Sequence, residues 1–343
     1  MSDINVLDEA ALGPYLERSV PGFKHLTGLK KFGAGQSNPT YLVAAESGSY
    51  VLRAKPPGQL LKSAHQVDRE FRVMDALKDT PVPVPDMLHL SQDGAPIGRM
   101  FYLMEHVDGR IFWDPALPEI RSNAERAAIY DAMNATLAAL HAVDYQAVGL
   151  GDFGKPGSYF ERQLGRWTSQ YRASETETVP SMDALIAWLE KHLPPDDGVV
   201  SLVHGDYRLD NMIFAPDKPE VVAILDWELS TLGHPYADIA YQCMQWRLPH
   251  ETAFRGLGGI DRVAIGLPTE EAYVADYCRR AGIAGIDNWP FFLAFSFFRL
   301  AAICQGVYKR ALDGNASNPD KAKTYRQAVQ LLSHLAGETI KDA

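Results

Sequence analysis

The sequence predicts an α+β fold with a small β-rich N-terminal lobe, residues 1–105, and a larger, mainly helical C-terminal lobe, residues 106–343. Three observations lead there. Strand-like runs bounded by Gly and Pro are concentrated between Leu29 and Glu105, while apolar residues recur at helical spacing from Ala124 onward. Strands followed by helices, rather than the two alternating, indicate segregated α+β layers. The chain has 343 residues, 46% hydrophobic and 22% charged, enough to bury a large core. Finally, Leu202 to Trp227 is a stretch of short apolar segments that carries Asp206, Asn211 and Asp226.

In chain order, Glu9 to Ser19 reads as a helix stopped by Pro21-Gly22. Leu29 to Ala45 reads as strand, glycine-rich turn, strand, with Gly33-Ala34-Gly35-Gln36-Ser37-Asn38 as the turn. Tyr50 to Ala54 is a third strand, and Ser63 to Leu77 a helix with Val67, Phe71, Met74 and Leu77 on one face. Pro81 to Pro85 must be extended, because each Pro blocks helix at its own position and the one before. Phe101 to Glu105 is a strand from which His106-Val107-Asp108-Gly109 turns out. Helices follow over Ala124–Ala142, Ser158–Ala173, Thr269–Ala281, Asn288–Lys309 and Lys321–Leu335, with another starting at Tyr236. The loop Gly149 to Gly157 lies between helices, so its glycines do not make a dinucleotide fingerprint. Arg299 lies in an otherwise apolar helix and is expected to pair with a carboxylate or to face a cleft.

The stretch around Asp206 has the parts that phosphoryl transfer needs. One carboxylate must take the proton of an attacking hydroxyl, and an amide oxygen and a second carboxylate must hold magnesium on the nucleotide phosphates. Asp206 and Asn211 have the D-x-x-x-x-N spacing of a kinase catalytic loop, and Asp226 closes the hairpin that follows. That spacing alone is common by chance. His204-Gly205 in front, apolar strands on both sides and the terminal Asp226 make it much rarer. Asp206 is then the catalytic base, Arg208 either the cation that neutralises charge in the transition state or a residue that fixes the loop, and Asn211 and Asp226 the metal ligands. Upstream, backbone N–H groups of a turn containing Gly33, Gly35, Ser37 and Asn38 can reach phosphate oxygens. Asn38 stands where a protein kinase has its third glycine. Arg53 or Lys55 grips the phosphates, Glu70 braces that cation, and backbone groups near Glu105 and Val107 meet the adenine edge. His204 is read as a structural histidine, and Asp238 as a brace for the catalytic loop.

His204-Gly205-Asp206, Asn211 and Ile224-Leu225-Asp226-Trp227-Glu228 resemble the aminoglycoside phosphotransferase superfamily, which shares the bilobal protein-kinase-like fold and includes choline kinases. Gly35-Gln36-Ser37-Asn38-Pro39-Thr40-Tyr41, Tyr50-Val51-Leu52-Arg53, Gly154-Lys155-Pro156 and Gly233-His234-Pro235 narrow the resemblance. They are similar to a branch that occurs alone in bacteria and as the N-terminal domain of some acyl-CoA dehydrogenases. The resemblance implies an ATP- and magnesium-dependent kinase that acts on the hydroxyl of a small molecule, with residues 1–105 binding nucleotide and residues 106–343 binding substrate.

A formal charge of -10 argues against nucleic acid or an anionic membrane as partner. Cys243, Cys278 and Cys304 are too scattered for a zinc or disulfide framework. With no signal-like N-terminus, and with the run Phe291–Cys304 too short to cross a bilayer, a cytoplasmic protein is expected. Polycationic aminoglycosides call for clustered carboxylates, yet residues 153–173 carry Lys155, Arg162, Arg166 and Arg172 against Glu161 alone. Arg162, Arg166 and Trp167 therefore read as an anion-recognising wall, and the dehydrogenase-fused relatives suggest a hydroxyacyl-CoA acceptor. An antibiotic or choline-type kinase is the alternative. A non-catalytic nucleotide-binding module is another, favoured only by Arg53 in place of Lys and by the missing third glycine. The sequence leaves the oligomeric state open.

Overall fold

The computed structural model describes residues 7–33, 38–58, 65–252, 254–314 and 322–341. The chain divides into two compact units. One comprises residues 1–110, 148–150 and 211–230, the other residues 111–147, 151–210 and 231–343.

The first unit is built on an antiparallel five-stranded sheet, ordered β1 (Leu26–Lys31), β2 (Thr40–Ala45), β3 (Gly48–Ala54), β5 (Phe101–Glu105) and β4 (Met87–Ser91). Tyr41 and Val43 alternate to its buried face with Leu52, Phe101 and Leu103. Helix α1 (Glu9–Ser19) covers that face with Leu12 and Leu16. It starts at Asp8, whose carboxylate accepts from the Ala10 and Ala11 N–H groups and so satisfies donors that the helix leaves over. Helix α2 (Val67–Leu77) begins later than the sequence suggests. His65 adopts a left-handed φ of 60°, which no helix can continue through. Edge strand β4 is an element that the sequence reading omits. Met87 to Leu90 are all half-buried, so no alternation betrays a strand.

The hairpin of β7 (Met212–Phe214) and β8 (Val221–Ile224) also belongs to this unit, so a single cut at residues 105 and 106 does not describe it. Arg110 and Phe214 exchange backbone hydrogen bonds at 2.8 and 2.9 Å, and the Ile224 N–H donates to the Pro83 carbonyl. Gly109 allows this approach, because a Cβ there would lie 2.3 Å from the Phe214 carbonyl oxygen.

The second unit is mainly helical. Its members are α3 (Asn123–His141), α4 (Tyr159–Ser174), α5 (Pro180–Lys191), α6 (Tyr236–Cys243), α7 (Glu270–Ala281), α8 (Trp289–Leu312) and α9 (Ala322–Thr339). A two-stranded ribbon pairs β6 (Ser201–Val203) with β9 (Thr231–Gly233). Helix α5 is absent from the sequence reading, although Met182, Leu185, Ile186 and Leu189 carry its spacing. Helix α8 packs Phe291, Phe292, Phe295, Phe297 and Phe298 against α4, α5 and α9. Each such ring contributes on the order of 2–3 kcal/mol by leaving water. At 24 residues α8 is long and apolar enough to cross a membrane by length and composition, but 72% of its most apolar window is buried inside the protein. The expectation of too short a run referred to Phe291–Cys304, and the helix extends beyond both ends of it.

Candidate active site

In the first unit, strand β3 carries Arg53 to the centre of a buried ionic network. Its Nε lies 2.9 Å from Glu70 Oε2, its Nη2 donates to Asp226 Oδ1 at 2.6 Å, and Glu228 stands at 3.8 Å. Glu70 is fully buried on α2 and also accepts from Asn38 Nδ2 at 2.8 Å and from the Tyr102 hydroxyl at 3.1 Å. Burial pushes the Glu70 carboxyl up to about 7, with Arg53 opposing and Asp226 and Glu228 adding to the rise. Burial alone would lower Arg53, but Glu70 and the neighbouring acids outweigh it and hold the guanidinium charged. A guanidinium suits this position because its separate N–H groups face several carboxylates at once, whereas an ammonium is a point charge.

Of the two candidate cations, then, Arg53 is the one on Glu70. Lys55 lies past the end of β3, 3.9 Å from Asp68, and lines a cavity of about 490 Å³ with Leu7, Asp8, Pro56 and Arg99. Asn38 does not present its amide to an open turn. It is 1% exposed and holds Glu70, with His65 Nδ1 2.9 Å from its Oδ1. Gly33 lies in the bend after β1, and Gly35 and Ser37 fall outside the described residues. Glu105 ends β5, its N–H donating to the Asp86 carbonyl, and Val107 lies in the irregular segment that follows. The Asn211 carbonyl accepts from the Leu225 N–H, which ties the two strands of the hairpin together. Asp226 has a left-handed φ of 65° and a side chain 35% exposed. Strain at a polar residue of this kind is concentrated at functional sites.

In the second unit, the loop after β6 is pinned from both sides. Gly205 adopts a φ of 85°, open to glycine but strained for other residues. The buried Asp238 carboxylate accepts from the His204 N–H at 2.6 Å and the Gly205 N–H at 2.8 Å, and it lies 3.3 Å from His141 Nε2. Burial opposes ionisation of Asp238, but His141, His204 and the Gly205 amide outweigh it and hold its pKa below the ordinary value. Arg299 on α8 donates to the Gly205 carbonyl at 2.6 Å and lies over the rings of Trp167 and Tyr241. The expectation that it pairs with a carboxylate is thus corrected, and the alternative of facing a cleft is left open. A carbonyl and two π-faces surround this buried cation.

The Asp206 N–H donates to His204 Nδ1 at 3.2 Å, and the Tyr241 hydroxyl donates to the Asp206 carboxylate. Arg208 Nη2 lies 2.9 Å from Asp210 and its Nε 3.5 Å from Asp206, so the guanidinium sits between two acids on its own loop. The sequence reading missed Tyr241, Asp210, Tyr102 and Glu228. Tyr241 had a signal: it is three residues after Asp238 on α6, hence on the same face and directed to the same loop. On α4, Arg162 donates to the Lys155 carbonyl, Arg166 lies 5.4 Å from the Trp167 ring, and Trp167 is buried.

Residues 28–287 match the profile of the phosphotransferase enzyme family. The mouse acyl-CoA dehydrogenase family member 10 is 52% identical over 327 residues, covering 94% of this chain but only 30% of that protein. A crystal structure from Ralstonia eutropha JMP134, of a protein provisionally assigned as an aminoglycoside phosphotransferase, is 48% identical with a TM-score of 0.86. The match covers 97% of this chain and 99% of that one. A ternary complex of aminoglycoside phosphotransferase APH(4)-Ia with AMP-PNP and hygromycin B is 15% identical with a TM-score of 0.61. It covers 97% and 99% of the two chains, a likeness of fold. With its β-sheet N-lobe and helical C-lobe of the protein-kinase-like kind, the chain belongs to the phosphotransferase enzyme family and is a small-molecule phosphotransferase.

Proposed function

We propose that the protein moves the γ-phosphate of ATP, with magnesium, to a hydroxyl of a small acyl compound, a hydroxyacyl-CoA thioester. The observation that carries the phosphotransfer reading is the Arg53–Glu70–Asp226 network. It matches the cation, helix glutamate and metal-binding aspartate that kinases use to hold a nucleotide. Asp206 orients the acceptor hydroxyl and takes its proton as the bond to phosphorus forms, and the γ-phosphoryl leaves ADP. Arg208 stays near enough to Asp206 to balance charge on the transferring group. Backbone groups at Glu105 and Val107 meet the adenine.

The donor set fits magnesium. Asp226 offers a partly exposed carboxylate, Asn211 an amide oxygen, and a magnesium ion needs only one or two such ligands beside phosphate oxygens. When bound, the ion neutralises charge on the phosphate oxygens.

Charge on the second unit supports an acceptor that is not polycationic. Arg166 meets no carboxylate among the described residues, whereas Arg172 faces Glu175 and Asp183, and Arg247 faces Glu270. The dehydrogenase name of the mouse relative adds the acyl-CoA class. Thermal-shift and turnover measurements with hydroxyacyl-CoA compounds and kanamycin-like compounds test the reading. Stabilisation and phosphorylation of the former alone are expected, and activity on the latter alone would reverse it.

A further inference from the structure

Among the described residues of the second unit, the buried N–H groups without a hydrogen-bond partner include Arg162 Nη1, Trp167 Nε1 and Arg299 Nε. All are donors, and desolvating a donor without an acceptor costs about 1–3 kcal/mol, more when it is charged. Trp167 is 8% exposed and Arg299 4%, so both groups are well removed from bulk water.

These groups gather in one place. Arg166 lies 5.4 Å and Arg299 5.8 Å from the Trp167 ring. Burial pushes the Tyr159 hydroxyl up and Asp238 adds to the rise, while Arg299, Arg162 and Arg166 draw it back, so three cations and one carboxylate act on the same phenol. Arg162 and Arg166 are four apart on α4 and share its face with Tyr159. Arg299 reaches the catalytic loop through the Gly205 carbonyl, and it lies 5.6 Å from the ring of Tyr241, whose hydroxyl is on Asp206. The cluster therefore adjoins Asp206 within a single unit.

We infer that Arg162, Arg166, Trp167 and Arg299 form an acceptor subsite for an oxyanion, a carboxylate or phosphate on the molecule whose hydroxyl Asp206 addresses. An oxyanion supplies the lone pairs that these N–H groups lack and the negative charge that the cations favour. A carboxylate at the acyl end and a phosphate of coenzyme A share this chemistry. The inference rests on the phosphotransfer reading only in placing the hydroxyl at Asp206; the anion site itself is a binding claim.

The test uses 3-hydroxybutyrate, its coenzyme A thioester, its methyl ester and butane-1,3-diol. Each is measured by calorimetry without nucleotide and as an acceptor with ATP, on the wild type, Arg166→Gln and Trp167→Phe. The phenylalanine keeps an aromatic face in the core but removes the five-membered part of the indole and with it the Nε1 donor. In the wild type an anionic acceptor is expected to bind at least about tenfold more tightly than the ester and the diol. Both variants should raise KM for the anionic acceptor by about tenfold or more with kcat held within about twofold, and should affect the diol much less. Binding of the free acid assigns the site to a carboxylate, and binding of the thioester alone assigns it to the coenzyme A phosphates. The subsite is overturned if no anion binds the wild type, if the diol binds equally well, or if the variants weaken diol and anion alike. Phosphorylation of no acceptor would defeat the phosphotransfer reading, with calorimetry still deciding the subsite.

Discussion

Asp238→Asn removes the charge that holds the loop after β6 while keeping side-chain size. The fully buried carboxylate accepts two backbone N–H groups, from His204 and Gly205, and faces His141 Nε2. Hydrogen bonds to a charged group are worth about 1.5–3 kcal/mol each. The amide keeps one acceptor oxygen and turns an NH2 toward a donor, so one charged bond is lost and a buried donor is left without an acceptor. Together these give a destabilisation of about 3–5 kcal/mol at pH 7, in the range for breaking a buried charged pair. Urea denaturation reads it as a lower midpoint at unchanged slope. The pH dependence has a definite sign. Asp238 has a depressed pKa in the folded state, so the unfolded chain binds its proton more readily. The stabilisation is present above the unfolded value, about 3.9, and is lost as pH falls through the folded value. Wild type and variant should therefore converge in acid. A loss below about 1 kcal/mol at pH 7, or a gap that persists in acid, would refute the reasoning. Tyr277→Phe, which deletes only the hydroxyl 2.7 Å from His141 Nδ1, should cost about 1 kcal/mol and reports on the same network more gently.

Asp206→Asn should lower turnover at least about a hundredfold with nucleotide affinity largely kept, measured by steady-state kinetics and nucleotide calorimetry. Asp226→Ala should instead abolish magnesium-dependent nucleotide binding, so a titration of ATP with and without magnesium should show no difference in that variant. Arg53→Met strips the buried Glu70 of its cation and should cost about 3–5 kcal/mol in urea. Its pH dependence runs opposite to that of Asp238. The Glu70 carboxyl, already pushed up to about 7 by burial, should rise further, so the folded state holds the proton and stability should fall as pH climbs above the unfolded carboxylate value. A variant that is no more pH-sensitive than wild type would count against the pairing. Gly205→Ala forces a side chain into a φ of 85° and should cost about 1–3 kcal/mol together with activity.

Much of this protein was legible in its sequence. Helix α1 is bounded by Asp8 before it and Pro21-Gly22 beyond its end, and β5 ends at Glu105 as read from the chain, because caps, prolines and apolar runs act locally. The order of Asp206, Asn211 and Asp226 identified the family, since phosphoryl transfer needs those oxygen donors whatever surrounds them. What is absent from local pattern is which distant partner each charge meets. Only the fold decided that Glu70 takes Arg53 rather than Lys55, since β3 ends one residue before Lys55. Only the fold decided that Asn38, expected on a phosphate turn, is buried against Glu70, and that Arg299 holds the Gly205 carbonyl instead of a carboxylate. Strand β4 and the place of the β7–β8 hairpin belong to the same class. Their stability comes from pairing with remote segments, which no window of neighbouring residues contains.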